Sequence, residues 1–206
     1  MKVAVVGGTG GFGTALAVRL REAGYEVVIG SRDVERARAV AAELGVAGAT
    51  NADAARAADL VVLATKADGA LATARELCAA IGTSPVLSVA AELRFTPQGV
   101  LPTAEATSIA ERIQAELEAP VVAGLHSLAA SNLGGEEAPD EDALVCGDDA
   151  EAKALCLELA SRITDGRAID AGPLASARAL EGMTAVIVNV NKRYKAHAGL
   201  RVTGVP

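Results

Sequence analysis

The run Lys2-Val3-Ala4-Val5-Val6 passes without a break into Gly7-Gly8-Thr9-Gly10-Gly11-Phe12-Gly13, after which the chain takes up helical periodicity. An apolar β run that ends in glycines and reopens as a helix demands a buried strand, a tight turn and a helix laid back over the sheet. Gly8, Gly10 and Gly13 occupy the glycine positions of G-x-G-x-x-G. In a chain with 21 glycines that pattern alone says little; its place between strand and helix marks it as a dinucleotide-binding turn. Gly8 is expected to make the tight turn. Gly10 lets the backbone approach a pyrophosphate, and Gly13 lets the helix sit close on the sheet. N–H groups at the helix start then face phosphate oxygens, helped by the positive end of the helix dipole.

Short β-branched runs alternate with Ala/Leu/Arg/Glu segments of helical period along the rest of the chain. That alternation predicts an α/β fold, a Rossmann-like, doubly wound, mostly parallel sheet. Strands are expected at 2–6, 26–30, 59–64, 85–90, 120–125, 143–147 and 167–170. Helices are expected at 12–23, 34–44, 52–58, 70–81, 104–118, 149–163 and 173–197. The strands are apolar at successive positions, as when both faces are covered. Residues 134–142, GGEEAPDED, form the one polar, acidic break and read as a surface loop or hinge. They divide a core, 1–133, from a small C-terminal α/β annex, 134–206, that ends in a long helix. The annex is short for a separate domain, so it is expected to close a cleft against the core.

The end of the second strand selects the dinucleotide. An NAD site usually carries Asp or Glu there for the adenosine ribose. This chain has Gly30-Ser31-Arg32, with Arg36 one helical turn on. A hydroxyl and guanidinium groups welcome a 2′-phosphate that a carboxylate would repel, so NADP is expected at Ser31, Arg32 and Arg36. Asp33 is read as the cap of helix 34–44. The third strand leads into Thr65, Lys66 and Ala67, and the fourth ends at Val89 and Ala90. Both ends should pass the nicotinamide, with Leu71 close behind. Lys66 meets a phosphate or an acidic ligand there, or is a solvated loop lysine.

Composition removes other chemistries. A net charge of −7 argues against nucleic acid or an anionic membrane surface as partner. Aromatic residues are 2% of the chain, too few to build a base-stacking platform. Neither Tyr25 nor Tyr194 has a lysine four positions on, which removes the short-chain dehydrogenase pair. The two histidines, His126 and His197, have no zinc-ligand spacing, and no metal is expected. Neither a G-x-S-x-G elbow nor a P-loop lysine occurs. Cys78, Cys146 and Cys156 lie in apolar runs without C-x-x-C spacing and read as small buried hydrophobes of a cytoplasmic protein. The apolar run at the start is too short for a secretion signal.

The whole chain resembles the NADPH-dependent coenzyme F420 reductases, also called F420H2:NADP oxidoreductases. The resemblance rests on KVAVVGGTGGFGTALAVRL, EVVIGSR, VVAGLHSLAASNL, LVCGDDAEAK and IDAGPLASARALEGMTAVIVN. The CGDD and DAGPL segments are far more specific than the glycine motif. The resemblance implies hydride transfer, ring to ring, between NADP(H) and the deazaflavin F420. It implies NADP contacts at Thr9, Gly10, Gly11, Phe12, Ser31, Arg32 and Arg36. F420 contacts are implied around His126, Leu128 and Thr184, with Leu200 and Val202 close by. On that view His126 hydrogen-bonds a ring carbonyl and stabilises the reduced, anionic ring; otherwise it caps backbone groups at a strand end. The chain departs from the family pattern at Thr65-Lys66-Ala67, at Ala90-Ala91-Glu92-Leu93 and at Gly182. A reductase of another acceptor (a flavin, a ferric chelate or a small carbonyl compound) and a non-catalytic NADPH-binding protein are the rival readings.

Residues 183–190, MTAVIVNV, are apolar almost all round, which predicts burial on more than one side. The cover is either the chain itself or a second copy in a homodimer. Residues 182–206 carry Lys192, Arg193, Lys195 and Arg201 and no acid. Such an end attracts the polyglutamate tail of F420, lies on an acidic patch of a neighbour, or complements the helix dipole as a solvated end.

Overall fold

The computed structural model describes residues 1–205. The first half runs β1 (Lys2–Val6), α1 (Gly11–Glu22), β2 (Glu26–Ser31), α2 (Val34–Leu44), β3 (Ala47–Thr50), α3 (Asn51–Arg56), β4 (Leu60–Leu63), α4 (Ala67–Ile81) and β5 (Val86–Ser88). The hairpin β6 (Leu93–Thr96) and β7 (Gly99–Pro102) follows, then α5 (Ile109–Gln114), β8 (Val121–Gly124) and α6 (Ala130–Leu133). The chain closes with β9 (Ala143–Gly147), α7 (Ala150–Arg162), β10 (Ala168–Asp170), a 3-10 turn (Leu174–Ser176) and α8 (Ala177–Tyr194).

Eight strands form one sheet in the order β10-β9-β8-β5-β4-β1-β2-β3, with β6 and β7 apart from it. Every pairing in the large sheet is parallel except β8 with β9. The chain winds outward from β1 through β2 to β3, then returns to β4 on the other side of β1. Ligands of doubly wound sheets sit where the order reverses in this way, beyond the carboxyl ends of the strands.

Alternation along β1 and β4 builds two cores at once. Val3, Val5, Leu60 and Val62 face α1 and α7, meeting Leu16, Leu20 and Leu159. Ala4, Val6, Val61 and Leu63 face the other way, onto Leu77, Ile113 and Leu180 of α4, α5 and α8. Cys146 and Cys156 are buried in these cores, and burial pushes both thiols up to about 12, which leaves them inert hydrophobes at neutral pH. Cys78 is half-buried.

Several expectations need correction. Strand β3 is Ala-Gly-Ala-Thr, without the β-branched run that flags a strand, and it pairs only with β2 at the sheet edge. Helix 104–118 contracts to Ile109–Gln114, because a capping box between Ser108 and Glu111 starts it late. The hairpin β6–β7, which no local signal announced, precedes it; its turn at 97–98 runs into Gly99, whose φ is +136°. The break at 134–142 is not solvated throughout: Glu141 and Asp142 are buried, and the sheet continues past it into β9 and β10. The last helix begins after the 3-10 turn and stops at Lys195, which is left-handed with φ 51°. Within the single chain its apolar stretch has Ala185 buried, Val186 60% exposed and the remaining positions half-buried.

Candidate functional site

The turn after β1 is built by contact and by backbone conformation together. Gly7, outside the motif, takes φ +77° and makes the turn expected of Gly8. Gly8 is glycine for another reason: a Cβ there would meet Ile29 Cγ2 at 2.6 Å and the Val5 carbonyl oxygen at 2.7 Å. At Gly13 a Cβ would meet Gly8 Cα at 2.7 Å, so α1 lies directly on the loop. Gly10 and Gly11 differ. The nearest atom to a Cβ on Gly10 is 3.5 Å away, and Gly11 has nothing within 4 Å. The protein itself does not need those two glycines, which is the signature of a backbone kept bare for a ligand. Consistently, Gly10 stands at the N-cap of α1, which has no side-chain cap.

Beyond the carboxyl ends of β1, β2 and β4 lies a cleft of about 670 Å³. Thr9, Gly10, Ser31, Arg32, Arg36, Thr65 and Lys66 line it, so the sequence-selected residues of the glycine turn and the β2 and β4 ends converge on one space. Asp33 lines it too, but its carboxylate is spent accepting the Arg36 N–H at 3.1 Å, the expected cap of α2. The Ser31 hydroxyl oxygen accepts the Asp33 N–H at 3.2 Å and keeps its own proton for a ligand. Arg36 reaches across to the Thr9 carbonyl at 3.5 Å, whereas Arg32 is exposed and makes no hydrogen bond or ion pair among the described residues. Arg32, Arg36 and Lys66 thus line the cleft without an ion pair among the described residues, although Asp33, Asp68 and Glu76 line it too. Thr65 Oγ1 and Asn51 Oδ1 are buried polar atoms without partners on the same cleft. A bare glycine turn, unpaired cations and orphaned polar atoms together fit a phosphorylated dinucleotide.

Other expected contacts stand further back. Gly8, Phe12, Gly13, Ala67 and Leu71 do not line the cleft. Phe12 packs against the α1-side core and Leu71 against the opposite one, while Gly11 faces a neighbouring groove toward α6. Asn51, Asp68, Thr73 and Glu76 line the cleft and were missed by sequence reading. Asn51 follows Thr50, whose hydroxyl caps α3, so a Thr-x-x-Asp signal marked the helix start but not the ligand-facing side chain.

A second polar constellation stands at the ends of β5 and β8. Leu125 takes φ +65°, a conformation side chains rarely adopt, directly before His126. His126 Nε2 lies 3.0 Å from the Ala90 carbonyl oxygen. A carbonyl only accepts, so Nε2 carries the hydrogen and Nδ1 does not. Nδ1 is buried and unpartnered, and burial pulls the ring down to about 4, so His126 is neutral. Here the N–H goes to the Ala90 carbonyl, the backbone cap that was the other reading of His126, and Nδ1 has no protein partner. Thr184 Oγ1 donates to the His126 carbonyl at 3.1 Å, which brings α8 to the same spot. Leu128 and Ala90 are buried there and Val89 half-buried; Leu200 and Val202 pack against the adjoining core. Ser88 Oγ, at the β5 end, is another buried atom without a partner.

Among the described residues no group of His, Cys, Asp and Glu side chains is arranged to hold a metal ion, and no helix is long and apolar enough to cross a membrane.

Comparison with known proteins agrees with this geometry. Residues 2–92 match the family model described as NADP oxidoreductase, coenzyme F420-dependent. The chain is 36% identical over 226 residues to the F420-dependent NADP reductase of Methanothermobacter thermautotrophicus, covering 100% of this chain and 96% of that protein. It is 34% identical over 230 residues to the F420-dependent NADP reductase of Methanocaldococcus jannaschii, covering 100% and 99%. A crystal structure from Arthrobacter sp. FB24, provisionally assigned as an F420-dependent NADP reductase, superposes with a TM-score of 0.86 at 29% identity, over 99% of this chain and 100% of that one. By identity sustained over its full length, the chain belongs to the family of F420-dependent NADP reductases.

Proposed function

We propose that this protein is an NADP-dependent oxidoreductase that transfers hydride between NADP(H) and coenzyme F420. The observation that carries the reading is the β2 end. It offers a free Ser31 proton and an unpaired Arg32 to the cleft, and its one carboxylate, Asp33, is turned into a helix cap. That arrangement suits a 2′-phosphate and gives the ribose of NAD no carboxylate partner. The pyrophosphate lies over the turn from Thr9 to Gly13. The nicotinamide extends toward Thr65, Lys66 and Ala67, with Leu71, Val89 and Ala90 behind it.

The deazaflavin stands beside His126, Leu128 and Thr184, with Leu200 and Val202 as its outer wall. Transfer between two hydride-accepting rings asks the protein for orientation and for exclusion of water more than for an acid. His126 answers with a fixed acceptor, Nδ1, for an N–H of the bound ring. Residues 1–133 hold the nucleotide and 134–206 close the acceptor side.

The half-exposed apolar side of α8, with Val186 and Tyr194 exposed, supports a homodimer. The charge of −7 supports small-molecule cofactors as partners, not nucleic acid or membrane, and the three free cysteines support a cytoplasmic setting.

Mixing the protein with NADPH and F420 and following the deazaflavin absorbance tests the reading. Bleaching at catalytic rates is expected. Turnover of flavin or ferric chelate without F420 turnover points to another acceptor, and NADPH binding without any turnover to a sensing protein.

A further inference from the structure

Two sequence features have so far no part in the reaction: the acidic break at 134–142 and the basic end of the chain. The structure brings them together. Beyond α8, residues 196–205 contain no helix or strand, yet they are held in a fixed course. The Asp142 side chain, with no exposed surface, is the main anchor. Its Oδ2 accepts the Val202 N–H at 2.7 Å, and its own N–H donates to the Leu200 carbonyl at 2.7 Å. The same carboxylate accepts the Arg167 backbone N–H at 2.9 Å and the Arg167 Nη2 at 2.7 Å. Arg167 in turn donates to the Val202 carbonyl, and to that of Val205 at 2.6 Å. Arg201 pairs with Asp140. Gly199 passes so close to the Glu141 carboxylate that a Cβ would collide with it.

The anchor also reaches the acceptor side. The Asp142 carbonyl accepts the Ser127 hydroxyl at 2.8 Å, and Ser127 directly follows His126. One residue thus ties the loop carrying His126 to the tail carrying Leu200 and Val202. The tail's own apolar contacts are those two half-buried side chains, too little to order an irregular segment against its conformational entropy. Charge-assisted bonds from the Asp142 carboxylate and the Arg167 guanidinium to Val202 supply what the apolar contact lacks.

We propose that Asp142 is a positioning residue of the acceptor site, holding residues 199–203, with Arg167, as a strap that completes the site beside His126. The inference rests on the assignment of the acceptor as F420. The strap touches neither the glycine turn nor the β2 end, so NADPH binding is independent of it.

The test compares wild type, Asp142→Asn and a chain ending at Ala198. NADPH and F420 binding are measured separately by fluorescence titration, KM and kcat are measured for each, and Arg201 is probed by limited trypsin digestion. Asp142→Asn should weaken F420 binding at least tenfold, raise its KM more than it lowers kcat, leave NADPH binding within twofold, and open Arg201 to trypsin. The shortened chain should show the same loss, and adding Asp142→Asn to it should change F420 binding no further. Equal losses for both ligands in Asp142→Asn, or undiminished F420 binding by the shortened chain, would overturn the strap. Should Asp142→Asn not fold, the full-length Arg167→Gln variant, which takes the guanidinium from Asp142 and the Val202 carbonyl, decides by the same readings. Wild type that neither binds nor reduces F420 overturns the assignment of the acceptor and the strap's role with it.

Discussion

The imidazole of His126 and the carbonyl of Ala90, 3.0 Å apart, lock the ends of β8 and β5 together and fix the histidine in a single tautomer. The bond uses the only N–H that a neutral ring has. It leaves Nδ1 as a buried acceptor with no protein partner, and desolvation keeps the ring neutral, with its pKa lowered to about 4.

That depression has a stability consequence of definite sign. Between about 4 and the usual 6.5 the unfolded chain binds the His126 proton and the folded chain does not. Stability from this group is therefore fully present above pH 6.5 and lost as pH falls toward 4, by up to about 3 kcal/mol at 1.36 kcal/mol per pKa unit. Urea unfolding of wild type and His126→Leu at pH 7.5 and 4.5 should show the smaller pH loss in the variant. Equal losses would contradict the buried neutral ring. The same variant should weaken F420 binding about two- to tenfold, as expected for one neutral hydrogen bond.

Glu181 titrates in the opposite sense. Its carboxylate is 1% exposed and accepts the N–H groups of Ile109 and Ala110 at 3.2 and 3.3 Å, yet desolvation prevails and raises it to about 7. Here the folded chain binds the extra proton, so stability falls as pH rises from about 4.5 to 7, by on the order of 2–3 kcal/mol. Unfolding free energies of wild type and Glu181→Gln should diverge between pH 5 and 8, the wild type losing ground. Parallel pH dependences would count against it.

Arg32 should carry discrimination between the two nicotinamide dinucleotides. Arg32→Ala removes a charge-assisted bond worth about 1.5–3 kcal/mol, so NADPH affinity should drop about ten- to a hundredfold. NADH affinity should stay within about twofold. Equal losses for both, measured by titration, would contradict a 2′-phosphate at β2.

The glycine turn separates fold from ligand. Gly10→Ala meets nothing closer than 3.5 Å and should leave the melting temperature nearly unchanged while weakening NADPH binding at least tenfold. Gly13→Ala meets Gly8 Cα at 2.7 Å and should lower stability itself, by about 1–3 kcal/mol. Thermal melts with and without NADPH check both.

Local signals explain what the sequence disclosed. Val34–Leu44 was readable because Asp33 caps it and Gly45, at φ 66°, ends it; Ala143–Gly147 was readable as a short apolar run between turn residues. The cleft was readable wherever a residue type had a reason within a few positions, as at Gly10, Ser31 and Arg32. Information lying in distant partners was not. Asp142 looks solvated among Gly, Glu, Pro and Asp, and only distant partners, Arg167 25 positions on and Val202 60 positions on, take it inside. The His126 tautomer depends on Ala90, 36 positions back. Strand β3 lacks apolar character of its own and exists because β2 offers it an edge.

Direct transfer between two rings held by one chain is the claim on which the other functional statements stand, and isotopic labelling tests it in one step. With NADPH carrying deuterium at the transferred position of its nicotinamide, F420 and ordinary water, the account predicts that the label appears in reduced F420. Label found in water, with unlabelled reduced F420, would contradict it.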